Sequence, residues 1–379
     1  MADTRIPVWL DCDPGHDDTF AILLAAYHPS LRILGISTVF GNASLDKTTQ
    51  NAASILTAIS KTSIPIYMGA SHALFRPTMH APTDIHGASG LDGTELLPTP
   101  LIPANTTMPA IDAAAAALRA EAPGTAWVVA TGAFTNAAAL FLAYPDLVGH
   151  IAGLSLMGGA VGGGFTSAVL GTVDGVPRIG NWTPFAEFNV LADPEAAALL
   201  FDNAVLAGKT TLIPLDVSHL VLTTKEVRDL FLYGREGTGK STLRVMLVEL
   251  LMYFAKTYRE VFGITEGPPL HDPLAVAAIL TGVGADRGEV AFYDSAPGGT
   301  GERERFEIKV NTQGTYEEAR AGARTGQLTV RLLPPGEEGV RIPRGLDIPA
   351  FWSILEECVS RADEANAAAG AGASAALEN

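Results

Sequence analysis

V-W-L-D-C-D-P-G-H-D-D-T-F-A-I-L-L, residues Val8 to Leu24, decides how the rest of the chain is read. The apolar run Val8, Trp9, Leu10 reads as a strand, the run Phe20 to Ala26 as a helix, and Pro14-Gly15 as the turn between them. Four carboxylates, Asp11, Asp13, Asp17 and Asp18, fall within residues 11–18. Asp17 and Asp18 would sit in the first helical turn, where the helix dipole favours each by only about 0.3–1 kcal/mol. That is too little to offset repulsion among four acids at one strand end. A bound cation offsets it, and an all-oxygen donor set points to Ca²⁺ or Mg²⁺ rather than zinc. The plainer alternative is that Asp13 caps the helix and the other acids are solvated.

Outward from that stretch, short apolar runs alternate with longer amphipathic ones to about Leu200. This is the pattern of successive βα units, an α/β fold with an open, mostly parallel sheet and helices on both faces. Strands are expected at Val8–Asp11, Ile33–Thr38, Ile64–Met68, Ala126–Ala130, Gly153–Met157 and Thr211–Pro214. Helices are expected at Thr19–Tyr27, Lys47–Ala58, Ala110–Ala120, Asn136–Leu142 and Pro194–Leu200. Such sheets bind ligands beyond the carboxyl ends of their strands. The polar residues fall there: Asp11 and Asp13, Gly41-Asn42, Thr131-Gly132 and Gly158-Gly159.

Gly69 to Thr99 is rich in Pro, His, Gly and Thr without an apolar period, and contains D-I-H-G-A-S-G-L-D-G (Asp84 to Gly93). A connection of that length inside a domain is more often functional than not, and reads as a lid with His86 at its tip. Downstream, G-N-W-T-P-F-A-E-F-N (Gly180 to Asn189) offers Asn181, Glu187 and Asn189, two amides and a carboxylate that suit the hydroxyls of one ligand or serve as turn and cap residues. Gly234 to Ser241, G-R-E-G-T-G-K-S, matches a phosphate-binding loop by letter. That chemistry needs a buried strand feeding the loop, whereas Lys225 to Tyr233 reads as an amphipathic helix. Thr242 to Phe262 is a long helix on which Tyr258 and Phe262 share a face, as core or as the wall of a flat ligand. His271 and Asp272 follow in L-H-D-P, where Asp272 can also be a helix cap. Short strands and turns are expected over Glu289 to Leu333 and a last helix over Ile348 to Arg361. Residues 1–362 read as one domain, and 363–379 as a frayed, low-complexity Ala/Gly tail.

Composition narrows the partners. Of 379 residues 47% are hydrophobic, enough for a sizeable core, and 25 Lys+Arg against 41 Asp+Glu leave a net charge of −16. That balance disfavours nucleic acid and anionic membranes and suits a small uncharged ligand. The two cysteines, Cys12 and Cys358, read as buried thiols of a reducing compartment. With no leader-like or membrane-spanning apolar run, the expected location is cytoplasmic.

In order, D-C-D-P-G-H-D-D, F-G-N, D-I-H-G-A-S-G-L-D-G, A-T-G-A-F-T-N, M-G-G, N-W-T-P-F-A-E-F-N and L-H-D-P closely resemble the motifs of the nucleoside N-ribohydrolases, the inosine–uridine-preferring hydrolase family. The likeness spans roughly Ile6 to Val276, with an opening and an L-H-D-P segment most like uridine-type members from eukaryotic microbes. The resemblance implies Ca²⁺-dependent hydrolysis of a ribonucleoside, uridine by preference, to ribose and free base in pyrimidine salvage, by a homodimer or homotetramer. It implies Asp13, Asp18, the Thr131 carbonyl and Asp272 as metal ligands, with Asp13 also general base towards water. Asp17 would hold the ribose 2′-hydroxyl, Asn42 ribose and water, Asn181 and Glu187 the 5′-hydroxyl, and Asn189 the 2′/3′ side. His86 matches the lid histidine. His271, beside the base, is the second candidate catalytic residue, with Tyr258 and Phe262 as base contacts. The rivals are a purine-preferring hydrolase, an inactive nucleoside-binding protein, and a phosphatase of the haloacid dehalogenase type. The last would want a phosphate-holding Lys or Arg.

Overall fold

Strand β1 (Ile6–Cys12) is buried along nearly its whole length, as a central strand covered on both faces must be. In the computed structural model, which describes all residues except 1–2, 78, 80–82, 174–175, 236, 238, 296–302 and 378–379, it pairs in parallel with β2 (Leu31–Thr38) and with β4 (Trp127–Ala130). With β3 (Ile66–Met68), β5 (Gly153–Met157) and β6 (Thr210–Ile213) these strands form one parallel sheet of order β3-β2-β1-β4-β5-β6. The chain winds outward from β1 through β2 and β3, then crosses back to β4 on the other side. The carboxyl ends of β1 and β4 therefore flank the point where the winding reverses, the crevice in which open α/β sheets bind ligands.

Alternation along β1 divides the core. Val8, Leu10 and Cys12 face one apolar cluster, built with α1 (Asp18–Tyr27), α2 (Leu45–Ala58) and, later in the chain, α9 (Thr242–Phe262), α10 (Asp272–Ala278) and α11 (Ile348–Leu377). Trp9 faces the other, with α4 (Ala110–Ala120), α5 (Thr135–Ala143) and α7 (Pro194–Asp202). Two short helices complete the elements around the site, α3 (Thr83–His86) and α6 (Phe188–Ala192). Phe20 of α1 is fully buried, its ring 5.5 Å from Phe231, which in turn meets Trp352 at 5.9 Å. Phe20→Ala should cost about 3–5 kcal/mol of stability, read from urea denaturation. A loss within about 1 kcal/mol would place this cluster outside the cooperative core.

All six expected sheet strands and the five expected helices are present, with ends shifted by a residue or two. The phosphate-loop look-alike joins α8 (Lys225–Tyr233) to α9, helix to helix, with no strand feeding it. Its Ser241 hydroxyl caps α9 by accepting from Arg244 N at 3.1 Å, and Lys240 lies 5.3 Å over the Tyr233 ring. One expected end is corrected: α11 runs on to Leu377 rather than stopping at Arg361. The Ala-rich segment lacks an apolar period but has high helix propensity. Asp363 ties it to Arg244 at 2.5 Å, and Asn366 donates to the Ala58 carbonyl at 2.8 Å. No helix among the described residues is long and apolar enough to cross a membrane.

Candidate active site

The turn after β1 carries its acids inward because two glycines let other chains come close. A Cβ at Gly15 would meet His86 Nδ1 at 2.6 Å, and one at Gly41 would meet Asp13 Oδ2 at 2.0 Å. Asp13, Asp17 and Asp18 are all buried, and Asp272, the first residue of α10, is buried beside them. One oxygen from each of Asp17, Asp18 and Asp272 lies within 4.8 Å of the others. Asp18 is held on both sides: Oδ2 accepts from Gly15 N (2.9 Å) and Asn42 Nδ2 (3.2 Å), Oδ1 from Thr131 Oγ1 (2.8 Å). Asp13 Oδ2 accepts from Asn42 N at 2.7 Å, while its buried Oδ1 has no protein partner.

Burial, and then repulsion from Asp18, push the Asp13 carboxyl well above the usual carboxylate range. Burial, and then repulsion from Asp17, Asp18 and Asp13, do the same to Asp272, while Asp17 is raised to about 7. Buried acids that repel one another, an orphaned carboxylate oxygen and an all-oxygen donor set fit a hard divalent cation. The trio includes Asp17 where the sequence reading placed Asp13, whose buried Oδ1 has no hydrogen-bond partner. Thr131 contributes its side chain to Asp18, and its carbonyl accepts from Asn189 Nδ2 at 2.8 Å.

Beside the acids opens a cavity, part of it continuous with solvent. Its polar lining is Asp17, Asn42, Thr131, Asp272, Asn181, Glu187, Asn189, His86, Tyr258 and His271, with Ile85, Met157 and Phe188 as apolar filling. Glu187 is both cap and wall: Oε1 accepts from Asn189 N (2.9 Å) and Oε2 from Gly159 N (2.7 Å) and Val190 N (3.2 Å). Asn189 Nδ2 ties the ends of β4 and β5 through the Thr131 and Met157 carbonyls. Asn181 Oδ1 accepts from Phe188 N at 3.0 Å.

Next to Asp272 in sequence, His271 has both ring nitrogens engaged, Nδ1 by Ser218 Oγ and Nε2 by Tyr258 OH, each at 2.7 Å. Burial holds His86 and His271 well below the ordinary histidine range and Tyr258 well above its own, so all three are neutral at pH 7. Phe262, expected as a base contact, is not on the cavity wall. Its ring lies 5.0 Å from that of Tyr258, under the Arg178 guanidinium at 4.8 Å, in a small apolar cluster with Tyr258 and Ile264.

The description "inosine-uridine preferring nucleoside hydrolase" matches residues 8–353 of this sequence. The chain belongs to that family. This nucleoside hydrolase is 37% identical over 369 residues to the uridine nucleosidase of Saccharomyces cerevisiae, covering 96% of its own chain and 98% of the yeast protein. It is 38% identical over 279 residues to the pyrimidine-specific ribonucleoside hydrolase of Salmonella arizonae, 73% of this chain and 79% of that one. Its fold is that of the purine-preferring ribonucleoside hydrolase from Gardnerella vaginalis, with a TM-score of 0.72 at 24% identity over 94% of this chain and 99% of the other.

Sequence reasoning passed over two polar residues of this nucleoside hydrolase. Ser218 lies in a short helix after β6 and carries no signal of its own; only the fold brings it to His271. His16 did carry one, a histidine inside the acidic turn itself. It is fully buried, 3.0 Å from His86 Nδ1, and burial lowers it to about 4.

Proposed function

We propose that this nucleoside hydrolase cleaves the N-glycosidic bond of uridine in preference to inosine, with Ca²⁺ at the acidic cluster, releasing ribose and uracil. The observation that carries the reading is one cavity lined both by buried acids, Asp17, Glu187 and Asp272, and by neutral hydroxyl and imidazole groups, Tyr258, His271 and His86. Breaking that bond develops positive charge on the ribose and negative charge on the base, and each set of groups suits one of them. Near full-length similarity to a yeast uridine nucleosidase supports the pyrimidine preference.

In this reading Asp17 binds the 2′-hydroxyl, Asn189 the 2′/3′ side, and Asn181 with Glu187 the 5′-hydroxyl. Asp13, Asp18, Asp272 and the Thr131 carbonyl hold the ion, with Asp17 at its edge. A hard divalent cation there supplies fixed positive charge that orients the sugar diol and makes a neighbouring water more acidic. Water adds to the anomeric carbon as the C–N bond breaks, and its proton passes to Asp13, whose buried Oδ1 has no protein donor. The bonding pair leaves with the base, which takes a proton from Tyr258 OH. His271 Nε2–H replaces that proton, and the Ser218 hydroxyl supports Nδ1 at 2.7 Å. No covalent intermediate enters.

The test is kcat/KM for uridine and inosine on purified protein. Uridine should lead by about tenfold or more, the scale of one well-placed polar contact; an inosine advantage overturns the preference. His271→Ala should lower kcat for uridine by about 10²–10⁴-fold, as loss of an acid catalyst does, with a smaller change in KM. A cytoplasmic salvage role and a homodimeric or homotetrameric state belong to the same proposal. Two buried free thiols support the reducing compartment, and light scattering reads the assembly.

A further inference from the structure

The turn that carries Asn181 is closed by its own backbone. Ile179 N and Gly180 N donate to the Pro184 carbonyl at 2.9 and 3.3 Å, and Trp182 N and Thr183 N to the Ala186 carbonyl at 3.3 Å each. The Thr183 hydroxyl accepts from Ala186 N at 3.0 Å. The carbonyls on either side of Asn181, those of Gly180 and Thr183, face a single side chain. Arg178 Nε donates to Gly180 O at 2.6 Å and Nη2 to Thr183 O at 3.4 Å. That guanidinium is buried and stands 4.8 Å over the Phe262 ring, which lies 5.0 Å from the ring of Tyr258 on the cavity wall.

A charged donor makes stronger hydrogen bonds than a neutral one, and a planar fork fixes the angle between two acceptors as well as their distance. Arg178 therefore ties the turn to the end of α9 in one orientation. The two side chains read as holding the 5′-hydroxyl depend on it unequally. Glu187 is fixed from elsewhere, by Gly159 N, Asn189 N and Val190 N. Asn181 stands inside the turn, between the two carbonyls that Arg178 holds, and its Oδ1 accepts from Phe188 N at 3.0 Å. The described wall of the cavity includes Asn181 and Glu187 but not Arg178, so an effect of Arg178 on a ligand passes through a neighbour.

We propose that Arg178 is a positioning residue for the 5′ end of the sugar: its fork sets the angle at which the turn presents the Asn181 amide to the ribose 5′-hydroxyl. This rests on Asn181 meeting that hydroxyl, as in the function proposed above.

Two substitutions test the fork. Arg178→Met keeps an apolar stem over Phe262 and removes both donors, whereas Arg178→Lys keeps the charge but cannot hold two carbonyls at a fixed angle. Both are assayed with uridine and 5′-deoxyuridine, with melting temperature as the fold control. Wild type should lose about tenfold or more in kcat/KM on 5′-deoxyuridine, the size of a lost buried hydrogen bond. Arg178→Met should be about tenfold slower than wild type on uridine yet within about twofold of it on 5′-deoxyuridine, with Arg178→Lys between the two. Added to Asn181→Ala, Arg178→Met should cost little more; added to Glu187→Gln, it should cost about tenfold again. An Arg178→Met penalty equal on both substrates, or none on uridine, overturns the proposal and leaves the 5′-hydroxyl reading standing if wild type still discriminates. A wild type that treats the two substrates alike overturns that reading and the proposal with it. If Arg178→Met does not fold, the same comparison on Arg178→Lys decides. If inosine proves the better substrate, inosine and 5′-deoxyinosine carry the comparison, because the sugar is the same.

Discussion

Asp13→Ala should lower kcat for uridine by about 10³-fold or more, the combined effect of losing a general base and disturbing the cation site. Ribose release under saturating substrate measures it, with circular dichroism confirming that the fold is kept. The expectation comes from the two Asp13 oxygens. Oδ2 is engaged by Asn42 N at 2.7 Å, whereas Oδ1 is buried without a donor. A buried carboxylate oxygen left bare is costly to folding unless an ion or a water completes it. Removing the side chain also removes repulsion on Asp18, so the metal-free variant should melt no lower than the metal-free wild type. Near-normal turnover would take Asp13 out of the chemistry.

The second large effect is on stability as a function of pH and metal. Burial and mutual repulsion raise Asp13, Asp17, Asp18 and Asp272 above their ordinary values, Asp17 to about 7. The folded, metal-free chain then binds more protons than the unfolded one. Its stability is fully present below the unfolded carboxylate value of about 4 and falls as pH rises through the folded values near and above 7. A divalent cation reverses this, because it binds the ionised acids of the folded state. The gap in melting temperature between calcium-loaded and chelator-treated protein should widen from pH 5 to pH 8. At calcium a hundredfold above Kd it should correspond to about 2.7 kcal/mol. Parallel curves with no gap would mean that the acids are neutralised from within the protein.

How much of this was legible in the sequence depends on which interaction fixed each feature. The strands were legible because a central strand needs a continuous apolar run, and Val8 to Leu10 or Gly153 to Met157 supplies one. The acidic cluster was legible because Asp13, Asp17 and Asp18 are neighbours in sequence, although Asp11, read with them, turns instead to Ser37 and Asn136. The gathering of Asp272 and Thr131 onto them came only through resemblance, since no local pattern reports a contact made by α10 folding back on β1. The roles of Asp13 and Asp17 in the cluster were finer than spacing could resolve, because both are buried acids of the same turn. Phe262 misled for a related reason. Residues four apart share a helix face, but Tyr258 lines the cavity while Phe262 packs against the Tyr258 ring and under Arg178. The end of α11 was missed because alanine carries helix propensity without periodicity, and its ties, Asp363 to Arg244 and Asn366 to Ala58, are long-range. The phosphate-loop letters at Gly234 to Ser241 were rightly set aside, since a motif without its strand has no backbone cradle.

The central claim is that the buried acids at the β1–β4 crevice hold a divalent ion that readies ribose and water for hydrolysis. The most direct measurement is ribose release from uridine by protein stripped of metal with a chelator, dialysed, and then titrated with calcium. The account predicts that the stripped protein releases ribose at no more than about 1% of the restored rate, as expected when the charge that organises a site is removed, and that activity returns at one ion per chain. Undiminished ribose release from stripped, calcium-free protein would contradict it.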